Sequence, residues 1–179
     1  LCRSMPNLKR LDLSNFNTEC VVGMYEMFMG CSNLQTLDIS GFNTSNCKNM
    51  LSMFQDCSNL SEIKVNRETF KTDNVVNFQA MFIRCNKLES FDFSKFNTAN
   101  ATKMSGMFNG CNSLTELDVS KFETLNIISM GEMFKNCSLV THLDINGFDT
   151  SNVEDMSGMF EGCSSLKELN VSNFDTSNV

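Results

Sequence analysis

Nine cysteines, one histidine and a column of aspartates are the residues of this 179-residue chain best equipped for chemistry. Six of the cysteines (Cys31, Cys57, Cys85, Cys111, Cys137 and Cys163) fall at one position of a repeat. Zinc would call for paired CxxC spacing, which is absent. The column therefore reads as a ladder of buried free thiols acting as small apolar groups. Disulfides between its rungs fit badly because the side-chain vectors run parallel. Cys20 and Cys47 lie in adjacent repeats near a turn, and a disulfide between them is left open. His142 has neither a second His nor an adjacent Ser or Cys nucleophile, and reads as a solvent-facing neighbour of Asp144.

Asp12, Asp38, Asp92, Asp118 and Asp144 occupy one outward column. Like charges stacked ~5 Å apart repel by about 1 kcal/mol per pair even in water. Compensation is expected from turn amides donating to the Asp or Ser of each LDxS stretch, and from Lys95 and Lys121. A calcium site would need the carboxylates to converge on one ion with further oxygen ligands, which a straight ladder does not readily supply. No catalytic residue, metal or cofactor is assigned.

What must position these residues is a repeat. Met-Phe occurs at Met27-Phe28, Met53-Phe54, Met81-Phe82, Met107-Phe108, Met133-Phe134 and Met159-Phe160, in steps of 26, 28, 26, 26 and 26 residues. A fixed period of this size is the mark of stacked units that bury their apolar faces against one another. The unit reads L-x-x-L-D-[VI]-S-x-F-[ND]-T-x-N-V-x-x-M-x-x-M-F-x-x-C-x-x. Its one length change is a two-residue insertion around Arg67-Glu68, expected in a surface loop. Thirteen of the sixteen Phe and eleven of the thirteen Met fall in repeat columns. Little apolar material is left to line a separate pocket, which argues against an enzyme.

Within each unit, Leu117-Asp118-Val119-Ser120 alternates like a short half-exposed strand. Val153, Met156, Met159, Phe160 and Cys163 fall at helical spacing, with Ser151 and Asn152 as N-cap residues and Asp155 in the first turn. The residue before each column Cys is Gly30, Asp56, Arg84, Gly110, Asn136 or Gly162, and the Gly and Asn there suit the left-handed turn that commonly ends a helix. The spacing thus predicts an α/β repeat: a leucine-rich-repeat-like solenoid of about seven 26-residue coils, each with a short parallel strand and a short helix. The seven strands would form one sheet. The Thr column and the Asn column (Asn46, Asn74, Asn100, Asn126, Asn152, Asn178) read as structural, bonding along the stack.

Residues 1–179 read as a single solenoid without visible caps, a fragment of a longer array, since Leu1-Cys2 stands in a Met-Phe slot and the chain stops at Val179 before that coil is complete. A net charge of −7 speaks against nucleic-acid binding through a basic face. The segment has no apolar run for direct membrane insertion.

The pairing of LDxSxFxTxxV with MxxMFxxC across the whole chain resembles the BspA-family leucine-rich-repeat surface proteins, and more narrowly their 26-residue class found in mycoplasmas, firmicutes and protists. The resemblance implies a solenoid at the cell surface or secreted, with roles in adhesion, in binding host or matrix proteins and in cell aggregation. Leu1-Cys2, Lys64 for Asp, Val140 for Leu and the Arg67-Glu68 insertion depart from the pattern.

The exposed strand columns are the expected interaction face: Arg10, Asp12, Glu62, Lys64, Asp92, Glu116, Asp118, His142, Asp144 and Glu168. The expected function is a non-catalytic binding or adhesion platform, extracellular or at the cell surface, whose partner is a protein of a host, a matrix or a neighbouring cell. The alternative is a structural subunit of an extracellular filament or sheath, assembled by self-association.

Overall fold

The computed structural model describes residues 1–179. The chain winds into stacked coils that begin at Leu8, Leu34, Leu60, Leu88, Leu114, Val140 and Leu166, numbered here 1 to 7. The Met-Phe segments meet in a ladder of isolated parallel bridges, Gly23 to Asn49, Asn77, Lys103, Ser129 and Asp155.

No helix is present, which corrects the expectation of one per coil. In coil 1 the amides of Met24, Glu26, Phe28 and Gly30 donate to the Asn49, Leu51, Met53 and Gln55 carbonyls of coil 2, at 2.8, 2.8, 3.0 and 2.8 Å. The alternate amides of Met27, Met29 and Cys31 fold back onto Met24, Glu26 and Phe28, three residues earlier. A helix would aim every amide along its own chain; here every second one leaves for the next coil. The same alternation recurs in coil 5, where Met130, Glu132, Phe134 and Asn136 donate to coil 6.

Two left-handed residues per coil enforce this path. Glu26, Ser52, Ala80, Gly106, Glu132 and Gly158 form one column, and Gly30, Asp56, Arg84, Gly110, Asn136 and Gly162 the other, with φ from 53° to 78°. The second column is the one the sequence marks for a left-handed turn. The first breaks the helix four residues earlier. A non-glycine residue there costs about 1–2 kcal/mol. Each inter-coil hydrogen bond returns roughly 0.5–1.5 kcal/mol net, and each fully buried Phe or Met such as Phe54 and Met53 returns about 1.5–3 kcal/mol. Burial decides the balance in favour of the turns.

The sheet is also smaller than expected. Only coils 1 to 3 carry a strand: β1 (Arg10–Asp12), β2 (Thr36–Asp38) and β3 (Glu62–Lys64), parallel and in the order β1-β2-β3. Arg10 is in register with Thr36 and Glu62, and Asp12 with Asp38 and Lys64. Beyond β3 a single backbone bond, Thr115 to Glu89 at 3.4 Å, joins the corresponding segments of neighbouring coils. The change coincides with the exposed Arg67-Glu68 insertion and with Phe91 and Phe93 in place of aliphatic strand residues.

One apolar cluster of 42 buried residues runs through the stack, so no boundary divides the chain into separate cores. Along its axis Phe28, Phe54, Phe82, Phe108, Phe134 and Phe160 stack face to face, with centroids 5.2 to 6.0 Å apart. No helix is long and apolar enough to cross a membrane.

Candidate interaction face

The columns with chemical potential are held mostly by the fold itself. Five of the six Cys of the ladder point their thiols at the Phe carbonyl of the coil before: Cys57 to Phe28, Cys85 to Phe54, Cys111 to Phe82, Cys137 to Phe108 and Cys163 to Phe134, at 3.0 to 3.2 Å, while Cys31 points at the Cys2 carbonyl. Burial pushes the Cys57 and Cys111 thiols up to about 12, and Cys85 well above its ordinary value. These groups are held as thiols, poor nucleophiles and poor metal ligands. Cys20 and Cys47 are not bonded to one another: Cys20 is exposed, whereas Cys47 is buried with its sulfur 3.6 Å from the Asn49 carbonyl.

The Thr column is internal at Thr18, Thr44, Thr72, Thr98, Thr124 and Thr150, and exposed only at Thr176. Thr72, Thr98, Thr124 and Thr150 each donate to a carbonyl of the next coil and accept that residue's amide in return. The Asn column reaches the other way. Asn46, Asn74, Asn100, Asn126, Asn152 and Asn178 donate to backbone carbonyls of the preceding coil at 2.6 to 2.9 Å. The structural reading of both columns holds, with backbone carbonyls as the acceptors.

The Asp column caps turns. Asp12, Asp38, Asp92 and Asp118 accept the amide of the serine two residues on, and Asp144 accepts that of Asn146, at 2.8 to 3.1 Å. In Asp118 the Ser120 hydroxyl at 2.6 Å, then its amide, holds the carboxyl below its usual range. The Ser94 hydroxyl and amide do the same for Asp92, with smaller help from Arg67 and Lys95. Asp155, expected in a helical first turn, instead caps the turn at Ser157. No three His, Cys, Asp or Glu side chains converge in a geometry that could hold a metal ion.

The strand face remains. All ten of its sequence-selected residues are exposed, and they fall into neighbouring shallow depressions. Arg10, Asp12, Glu62 and Lys64 line one across coils 1 to 3. Glu62, Asp92, Glu116 and Asp118 line another of about 470 Å³ across coils 3 to 5. Glu116, Asp118, His142 and Asp144 line a third across coils 5 and 6. Glu168 lies apart from these, on coil 7.

Two contributors to the middle depression were not singled out by sequence. Arg67, known there only as an insertion, forms an ion pair with Asp92 across the gap. Phe91, counted as a strand residue, lies half-buried in the floor. Elsewhere, a wholly polar hollow is lined by Arg84, Asn86, Asn109, Asn112, Asn136 and Ser138 around Gly110. Its signal in sequence was a run of asparagines near the cysteine column.

Stacked turn-built coils with threonine, asparagine and cysteine ladders define a repeat protein. The family described as "Mycoplasma protein of unknown function, DUF285" matches residues 3–90, 55–143 and 137–179, and the chain belongs to it. Successive overlapping matches are what a repeated unit produces. No significant match was found among the curated proteins or among the solved structures.

Proposed function

We propose that this chain is a non-catalytic binding and adhesion platform of the BspA-like kind, displayed at a cell surface or secreted, and that its strand face engages a protein of a host, a matrix or a neighbouring cell. One contrast carries the reading. The near-constant columns are buried or tied into bonds between coils, whereas the column Arg10, Thr36, Glu62, Ser90, Glu116, His142 and Glu168 changes type at every rung. A regular scaffold with one freely varying face is the arrangement repeat proteins use for recognition.

Beads coated with the chain test this on cultured cells and on matrix-coated surfaces. Charge changes at Glu116, His142 and Glu168 should reduce attachment, while Lys48→Glu and Glu154→Lys on the Met-Phe side should not. Equal effects from both faces would contradict the reading. Ordered oligomers in sedimentation velocity at micromolar concentration would replace it with self-assembly into a filament or sheath.

A further inference from the structure

We propose that Asn146 is a site of spontaneous covalent modification on the strand face of coil 6, independent of what that face binds. The Gly147 amide nitrogen attacks the Asn146 side-chain carbonyl, and the residue ends as aspartate or isoaspartate. The chain holds two Asn-Gly pairs, Asn109-Gly110 and Asn146-Gly147. Such a pair sets a carboxamide next to a backbone nitrogen that no side chain screens. Both pairs are the central residues of turns. The Cys111 amide donates to the Phe108 carbonyl, and the Phe148 amide to the Ile145 carbonyl, each at 3.0 Å.

The structure separates the two. Gly110 is buried at φ 78°, and its amide donates to the Lys135 carbonyl of the next coil at 2.8 Å. A nitrogen tied into the stack keeps its proton and cannot swing toward its neighbour. Gly147 is exposed, and its amide donates to no other group of the chain. The space around it is open: an added Cβ would meet nothing nearer than the Ser120 carbonyl oxygen at 3.7 Å. The electrophile is also polarised, because the Asn170 side-chain amide donates to Asn146 Oδ1 at 2.8 Å. Other coils place Ser14, Ser40, Ser94, Ser120 or Ser172 at this position, which carry no carboxamide. Asn66 does, but the Arg67 side chain follows it and crowds the attacking nitrogen.

In the reaction the Gly147 nitrogen loses its proton to solvent and bonds to Asn146 Cγ. The Cγ–Nδ2 bond breaks, and ammonia leaves with a proton from solvent. Water then opens the succinimide ring at either carbonyl, with no change in oxidation state. Aspartate sets a second carboxylate where Nδ2 now donates to Asp144 at 2.9 Å. Isoaspartate routes the backbone through the former side chain, displacing the carbonyl that accepts from Asn173 of coil 7 at 3.0 Å.

Peptide mass mapping of the folded chain held in heavy-oxygen water at mildly alkaline pH tests this, because ring opening leaves the label at the converted residue. Asn146 should convert about tenfold faster than Asn109, roughly the factor that one hydrogen bond between coils confers on Gly110. In urea the two rates should converge. Gly147→Ala should slow conversion at Asn146 severalfold with the melting transition unchanged. If that variant does not fold, the comparison of Asn146 with Asn109 in the parent chain still decides. Equal rates in the folded chain, Asn109 ahead of Asn146, or no label at Asn146 would each overturn the proposal. So would a folded Gly147→Ala variant that converts as fast as the parent.

Discussion

The Thr98 hydroxyl donates to the Glu123 carbonyl at 2.9 Å and accepts the Glu123 amide at 2.8 Å, so one buried side chain serves both backbone groups of a residue in the next coil. Thr72 does the same for Asn97, and Thr124 for Asp149. The column is a set of stitches from coil to coil, which accounts for a threonine at this position in every repeat.

Replacing Thr124 by Val keeps the shape and removes both bonds. The loss should be about 1–3 kcal/mol, because the Asp149 amide and carbonyl lose their partner. Thr124→Ser should recover most of it. Asn126→Ala, which removes one exposed bond to Ala99, should cost less, about 0.5–1.5 kcal/mol. Urea unfolding of the three variants gives the order; a Val variant as stable as the parent would dismiss the stitch.

Thiol reactivity should follow burial. Brief treatment of the folded chain with iodoacetamide should label exposed Cys20 first and the half-buried Cys2 and Cys163 slowly. Cys57, Cys85, Cys111 and Cys137 should react only after unfolding. Peptide mass mapping reads this directly, and rapid native labelling of Cys111 would contradict the ladder.

Acid should destabilise the fold despite its negative charge. Asp92, Asp118 and Asp155 are held below the usual carboxylate range, chiefly by the hydroxyls of Ser94, Ser120 and Ser157 and then by their amides. A carboxyl depressed in the folded state contributes fully above its unfolded pKa of about 4 and loses that contribution as pH falls through the lower folded value. The urea midpoint should be flat from neutrality to about pH 5 and drop below about pH 4. Combined Ser94→Ala, Ser120→Ala and Ser157→Ala should flatten the drop. A midpoint that rises on acidification would mean that relief of the net charge of −7 outweighs the turn caps.

The repeat length, the two Phe columns and the threonine and asparagine ladders were legible because each repeats one residue type at one spacing. The path of the Met-Phe segment was not. Val153, Met156, Met159, Phe160 and Cys163 sit three, three, one and three residues apart, which suits a helix and a string of three-residue turns alike. Only the first left-handed column separates the two, and it holds Glu26, Ser52, Ala80, Gly106, Glu132 and Gly158, a mixture with no common conformational signature. A better cue lay at Asn49, Asn77 and Asp155, which cap the amides of Leu51, Gln79 and Ser157. On the opposite face the strand pattern was correct for coils 1 to 3. It then outran the backbone pairing, because alternation reports which residues face inward and says nothing about whether neighbouring coils lie close enough to bond. The exposed face was found from the outward positions of the strand columns, while the depression at Phe91 and Arg67 depended on a local departure from the repeat.

The account turns on left-handed turns in place of helices, and Gly158→Ala tests that most directly. Gly158 is exposed at φ 58°, and an added Cβ would meet the flexible Glu161 Oε2 at 3.2 Å and, at ordinary contact distance, Glu132 Cγ at 3.7 Å and Glu161 Cβ at 3.9 Å. Backbone conformation therefore dominates the outcome. In a helix, glycine to alanine stabilises by about 1 kcal/mol; at a left-handed turn it costs about 1–2 kcal/mol. Urea unfolding of Gly158→Ala beside the parent chain should show the loss. A gain of about 1 kcal/mol would contradict the turn-built coil and restore the helix.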